Sequence, residues 1–230
     1  MIFRRRRDRH DAPSGAENQE ETDSAPPAGS GGSESPAATT SDRPRGPWDA
    51  AELDRAEDDP TYVDLGGLVV KGRLGLELRL NSDPQSGQPV AVMLAAQDGA
   101  LELRAFAAPR SGGVWDGVRA DIAAEVTRLG GSVEERDGEY GPELVVALQV
   151  ALDDGRRATQ PSRIVGVTGP RWLLRGTFLG RPAVQPEPDG LLESALRDVI
   201  VVRGSDPMSP REALPLRLPS DAQPWSEPPA

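Results

Sequence analysis

The sequence predicts an α+β domain, mainly antiparallel sheet with two helices packed on one face, behind a long N-terminal tail. Three observations predict it. Apolar runs of period two recur between residues 62 and 178, separated by turn residues. Two stretches, 113–129 and 190–201, instead carry apolar residues three and four apart. Residues 1–59 hold almost no apolar run and are dense in Pro, Gly, Ser, Ala and Glu. Such a composition cannot bury enough surface to offset the roughly 1–2 kcal/mol that ordering each residue costs. Met1–Asp59 is therefore expected to be disordered, 60–220 to form a single domain, and 221–230 to be loose.

In order, the tail starts with Arg4–Arg7 and Arg9 and continues as a low-complexity linker. WDAAELDRA at 48–56 has the pattern of a short amphipathic helix. Tyr62–Lys71 reads as a strand bent at Gly66–Gly67. Leu74–Leu80, Pro89–Ala96 and Leu101–Ala107 follow as strands, the last two joined at Asp98–Gly99, so the first four strands are expected to form a meander. Gly113–Leu129 reads as a helix stopped by Gly130–Gly131, with Trp115 as a core anchor. Ser132–Arg136 and Glu143–Leu152 are the next strands, with a turn at Asp154–Gly155. Ile164–Thr168 and Arg171–Phe178 then flank the Gly169–Pro170 turn. On the last strand Trp172, Leu174, Gly176 and Phe178 share one face, and Arg171 and Arg175 share the other. Gly190–Val201 is expected as a second amphipathic helix with a Glu193–Arg197 pair on its outer side. Ser209–Glu212 has the form of a single capped turn, and Leu214, Leu216 and Leu218 are expected to run extended across the domain.

The two halves, 61–130 and 131–202, share this order and some local likeness. VAVMLAAQDG at 90–99 compares with VALQVALDDG at 146–155, and ELRAF at 102–106 with LLRGTF at 173–178. A ββββα duplication is the corresponding expectation.

Composition removes several chemistries. The chain has no cysteine, and its one histidine, His10, lies in the tail. Disulfides, thiolate zinc sites, Cys nucleophiles and His-based acid–base catalysis are thereby excluded from the domain. No Walker, G-x-G-x-x-G or G-x-S-x-G pattern occurs. The expectation is no cofactor, no metal and no catalytic residue, in a cytoplasmic chain without a membrane span. Net charge is −11. The first sixty residues hold eight arginines against fourteen acidic residues, so about half of that charge sits on the domain. An acidic domain disfavours nucleic acid, leaving only the Arg4–Arg9 cluster as a possible contact for it.

The blocks DLGGL at 64–68, FAAPRSGGVWDGVR at 106–119, GPELVVAL at 141–148, GPRWLLRG at 169–176, IVVRG at 200–204 and PLRLP at 215–219 occur in this order. Together they resemble an uncharacterised actinobacterial domain-of-unknown-function family. The resemblance implies one cytoplasmic domain with a variable tail and carries no activity or ligand.

Two groups of residues stand out as candidate binding positions. Arg110, Ser111, Gly112 and Gly113 precede a helix whose first N–H groups could receive an anion. Arg104, Arg171 and Arg175 form an arginine rim suited to acidic groups on a partner protein. The leading expectation is a non-enzymatic protein-binding or chaperone-like module. The alternatives are a small-anion sensor, or an enzyme working through Arg and carboxylates, and, behind these, nucleic-acid association through the N-terminal arginines.

Overall fold

In the computed structural model, which describes residues 45–53, 59–151 and 155–219, the strands sort into two sheets. The larger has seven strands, all antiparallel, in the order β4-β5-β6-β10-β9-β8-β7. These are β4 (Glu77–Ser82), β5 (Pro89–Ala95), β6 (Gly99–Ala107), β7 (Ser132–Gly138), β8 (Gly141–Ala151), β9 (Arg157–Gly169) and β10 (Trp172–Gly180). The smaller has the order β1-β11-β3-β2, from β1 (Trp48–Asp49), β2 (Tyr62–Asp64), β3 (Leu68–Lys71) and β11 (Ile200–Val201). Three helices complete the domain: α1 (Val114–Arg128), the single turn α2 (Arg181–Val184) and α3 (Leu191–Arg197). The architecture is α+β and dominated by antiparallel sheet, as the period-two runs predicted. No helix among the described residues is long and apolar enough to cross a membrane.

The helices do not share a face. Trp172 and Leu174 belong to one buried cluster together with Leu192, Ala195 and Leu196 of α3. Leu173, between them, belongs to a second cluster with Val114, Trp115 and Val126 of α1. Neighbouring strand residues point to opposite sides of a sheet, so α1 and α3 cover opposite faces. The period of an amphipathic helix says that it packs, not on which face, and the one-face expectation is corrected on that point.

α1 follows its sequence closely. Its C-terminus is a Schellman motif: Gly130 at φ 77° follows Leu129, Gly131 N–H donates to Val126 O at 2.9 Å and Gly130 N–H to Thr127 O at 3.0 Å. Trp115 is buried, its Nε1 donating to Pro142 O at 2.7 Å. Its ring lies against Gly166 of β9, where any Cβ would stand 2.1 Å from Trp115 Cδ2. The close approach of helix to sheet thus depends on a glycine.

Four further expectations are revised. Tyr62–Lys71 does not join the meander; it folds into the β2–β3 hairpin of the smaller sheet, turned at Gly66 with φ 83°. The expected helix 190–201 ends at Arg197, because the β-branched run Val199–Val202 supplies β11, a central strand between β1 and β3. Leu74 lies before β4 and is 99% exposed, while Leu76, Leu78 and Leu80 lean on the core. Trp48–Glu52, assigned by composition to the tail, forms β1 and a 3₁₀ turn, Ala50–Glu52, instead of a helix. β1 pairs parallel to β11, and Asp49 Oδ2 accepts from the fully buried Trp172 Nε1 at 2.7 Å. The remainder of the expected tail, the loose end from 221 and Asp154 of the expected turn lie outside the described residues.

The C-terminal segment joins the two sheets. Beyond the β5–β6 ladder, Ala107 N–H donates to Glu212 O and Leu214 N–H to Ala105 O. Farther on, Gly67 N–H donates to Pro215 O and Arg217 N–H to Leu65 O. Leu214 and Leu216 are buried by this course, whereas Leu218 is exposed.

Candidate functional site

β6 and β10 pair at the centre of the large sheet in a register that sets Arg104 directly opposite Arg175. Directly opposed residues share a face, and this is the face that carries α1. Yet α1 packs against β7, β8 and β9, and the polar residues of β6 and β10 remain partly exposed.

The two guanidiniums share one carboxylate. Arg104 Nε donates to Glu102 Oε1 at 3.0 Å, and Arg175 Nη2 lies 3.8 Å from the same oxygen. Asn81 Nδ2 donates to the other oxygen at 3.4 Å. Arg175 also lies over the Phe106 ring, 5.7 Å from its centroid, and its Nε is buried without a hydrogen-bond partner. Burial, then the like charge of Arg104, pushes the Arg175 guanidinium below its usual range, against the pull of Glu102. One carboxylate between two cations leaves this patch with an excess positive charge on an acidic protein.

The structure divides the predicted arginine rim. Arg171 is not on β10; it sits in the β9–β10 turn with φ 62°, and its carbonyl accepts from Ala108 N–H at 2.8 Å. It therefore lies at the end of the sheet, while Arg104 and Arg175 lie within it. Strand alternation cannot be extended through a turn residue in the left-handed region, which is why the sequence grouped the three.

Arg110, Ser111, Gly112 and Gly113 form the loop from β6 to α1. Gly112 and Gly113 have φ of 72° and 77°, and Gly113 caps the helix without a side chain. Arg110 and Ser111 are exposed. Backbone freedom at the two glycines turns the chain into α1, and no second charged group converges on Arg110 among the described residues.

A charged cluster that the sequence reading missed lies on the opposite face. Arg163 on β9, Glu143 on β8 and Glu193 on α3 are all buried. The Arg163 guanidinium stacks on the Phe178 ring at 4.0 Å, donates to Glu143 Oε2 at 3.3 Å and also donates to Glu193 Oε1. Arg136 Nε completes the pairing of Glu143 at 2.9 Å. Burial pushes the Glu193 carboxyl up, and Arg163 opposes that. The expected outward Glu193–Arg197 pair is thus replaced: Glu193 turns in to Arg163, and Arg197 holds Glu139 at 2.6 and 3.0 Å. The missed signal was present, since alternation carried back from Val167 and Val165 puts Arg163 on the inward face. With every charge matched, the cluster fastens α3 to the sheet.

Beside it, a cleft of about 580 Å³ opens between the β5–β6 turn, α2 and α3, lined in part by Asp98, Arg181, Glu187 and Leu191. Within that lining Arg181 pairs with both Asp98 and Glu187. No group of three or more His, Cys, Asp or Glu side chains is placed to hold a metal ion among the described residues.

Comparison with solved structures finds cyanobacterial PsbP (CyanoP) from Synechocystis sp. PCC 6803, in a solution structure, at 12% identity and a TM-score of 0.33. The match covers 59% of this chain and 87% of that one. A comparison with the curated proteins gives no match. The family model described as "Protein of unknown function (DUF3710)" matches residues 46–224, which span every strand and helix above, and the chain belongs to that family.

Proposed function

We propose that the domain is a non-enzymatic, protein-binding or chaperone-like module of the cytoplasm that presents the open half of its large sheet to an acidic surface of a partner protein. One observation carries the reading: Arg104 and Arg175 stand opposite each other over a single carboxylate and stay partly exposed, beside the strands β7–β9 on which α1 mainly packs. A partner carboxylate would supply the missing countercharge through charge-assisted hydrogen bonds, and Phe106 beside the guanidiniums offers apolar contact. The absence of cysteine suits a reducing compartment.

The test is binding by the purified full chain of a partner recovered from host extract in stoichiometric amount. Arg104→Gln with Arg175→Gln should weaken that complex at least about tenfold, the loss of two charge-assisted hydrogen bonds. Arg171→Gln should leave it intact, and circular dichroism should be unchanged throughout. A complex indifferent to the double substitution defeats the reading.

A further inference from the structure

β4 and β7 are the two edges of the large sheet. An edge strand carries a row of N–H and C=O groups with no ladder partner on its outer side, and β5 is the sole ladder partner of β4 among the described residues. The edges differ in what a second copy would meet. When a strand pairs antiparallel with itself about a two-fold axis normal to the sheet, opposed residues must point to the same face, so the axis passes midway between the two copies of one residue. Along β7, centring on any of residues 134 to 137 sets like charges opposite, because Glu134, Glu135 and Asp137 surround Arg136. Self-pairing in those registers is repelled, and centring on Val133 leaves only Ser132 opposite Glu134 within the strand.

β4 is different. Centred on Leu78, self-pairing sets Glu77 opposite Arg79 of the second copy, twice, and Leu76 opposite Leu80. Centring on Glu77 or Arg79 instead opposes like charges. Glu77 and Arg79 are about half exposed and already bound to each other at 2.8 Å on the same face. Two such pairs brought together form a ring of four alternating charges. Leu76, Leu78 and Leu80, only partly buried against the core, would cover one another across the axis. The fully exposed Leu74 lies at each end of the shared ladder.

We propose that the chain forms a symmetric homodimer by antiparallel pairing of β4 with β4 of a second copy, in the register that sets Leu78 opposite Leu78. The proposal does not depend on the protein-binding reading. It joins two seven-stranded sheets into one and brings the two open, arginine-bearing faces side by side.

Sedimentation of the full chain over a wide concentration range should show a monomer–dimer equilibrium. Arg79→Glu, which opposes Glu77 with a second acid, should weaken the dimer at least about tenfold. Exchanging the charges, E77R with R79E, should retain it. Because the chain has no cysteine, Leu78→Cys should give a disulfide-linked dimer under mild oxidation. Leu80→Cys should not, since its two copies would stand about 13 Å apart along the ladder. A chain that remains monomeric at every concentration, a dimer untouched by Arg79→Glu, or a Leu80→Cys variant that cross-links as readily as Leu78→Cys would each overturn the proposal.

Discussion

Arg163 and Glu193 form a buried ion pair between β9 and α3, with 7% of either side chain exposed. Such a pair is weak support for stability as a whole, because desolvating both charges consumes most of the attraction. Removing one partner is another matter. Arg163→Leu leaves the Glu193 carboxyl buried without its partner, and chemical denaturation should show a loss of about 3–5 kcal/mol. Adding Glu193→Leu should recover most of it, since two apolar residues replace a charge pair. A double variant as unstable as the single one would show that Phe178 stacking, not charge matching, holds Arg163 in place.

The contact of Trp115 with Gly166 yields a second prediction. A Cβ at Gly166 would meet the six-membered edge of the indole near 2.1 Å, so α1 must lift or Trp115 must rotate away from Pro142. Gly166→Ala should cost about 1–3 kcal/mol as overpacking. The denaturation midpoint reads the cost, and the Trp115 hydrogen bond should be lost in the variant's structure. A neutral substitution would mean that the helix is free to move.

Much of this architecture is legible in the chain. β5 and β6 announce themselves by alternation around Asp98–Gly99, and α1 by its apolar stripe and the glycine pair that stops it. What stays hidden depends on distant partners. Ile200–Val201 becomes a strand because β1 and β3 flank it, so a run read as the end of a helix changes type through pairing. Trp48 and Asp49 sit in a polar, Pro-rich stretch, and their place comes from Val199 and Trp172. The arginine rim was half legible: alternation selected Arg104 and Arg175, while only the register shows them face to face. The register also bears on the suggested duplication. Counting outward from β6 and β10, β5 holds the rank of β9, whereas the likeness between 90–99 and 146–155 joins β5 to β8. We propose a duplication only in the form that equates Arg104 with Arg175, which superposition of β4–β6 on β8–β10 would test.

Arg197 and Glu139 give a pH dependence. The hydrogen bonds from Arg197 hold the Glu139 carboxyl below its ordinary value of 4.5. A carboxylate depressed on folding adds stability above its unfolded value, and that stability is lost as pH falls through the folded one. Arg197→Gln should therefore flatten the acid limb of the stability curve below about pH 4.5. The pair lies near solvent, so the cost at neutral pH should be on the order of 0.5 kcal/mol after screening. An unchanged acid limb would assign the effect to other carboxylates.

Glu102 is where stability and the proposed binding pull against each other. Its carboxylate is the group that opposes the lowering of Arg175 by burial and by Arg104. Glu102→Gln removes that countercharge and leaves two guanidiniums facing each other within the sheet. The expected cost is about 1 kcal/mol in low salt, and added salt should restore part of it because the patch is partly exposed. Arg175→Gln in the same chain should also relieve it by removing the repulsion. In binding, the sign reverses. With Glu102 neutral, a partner's carboxylate becomes the sole countercharge for Arg104 and Arg175, so the complex should tighten while the free chain weakens. Calorimetry on the same variant reads both quantities. Loss of stability together with loss of binding would mean that Glu102 itself touches the partner, and that the arginines only hold it in position.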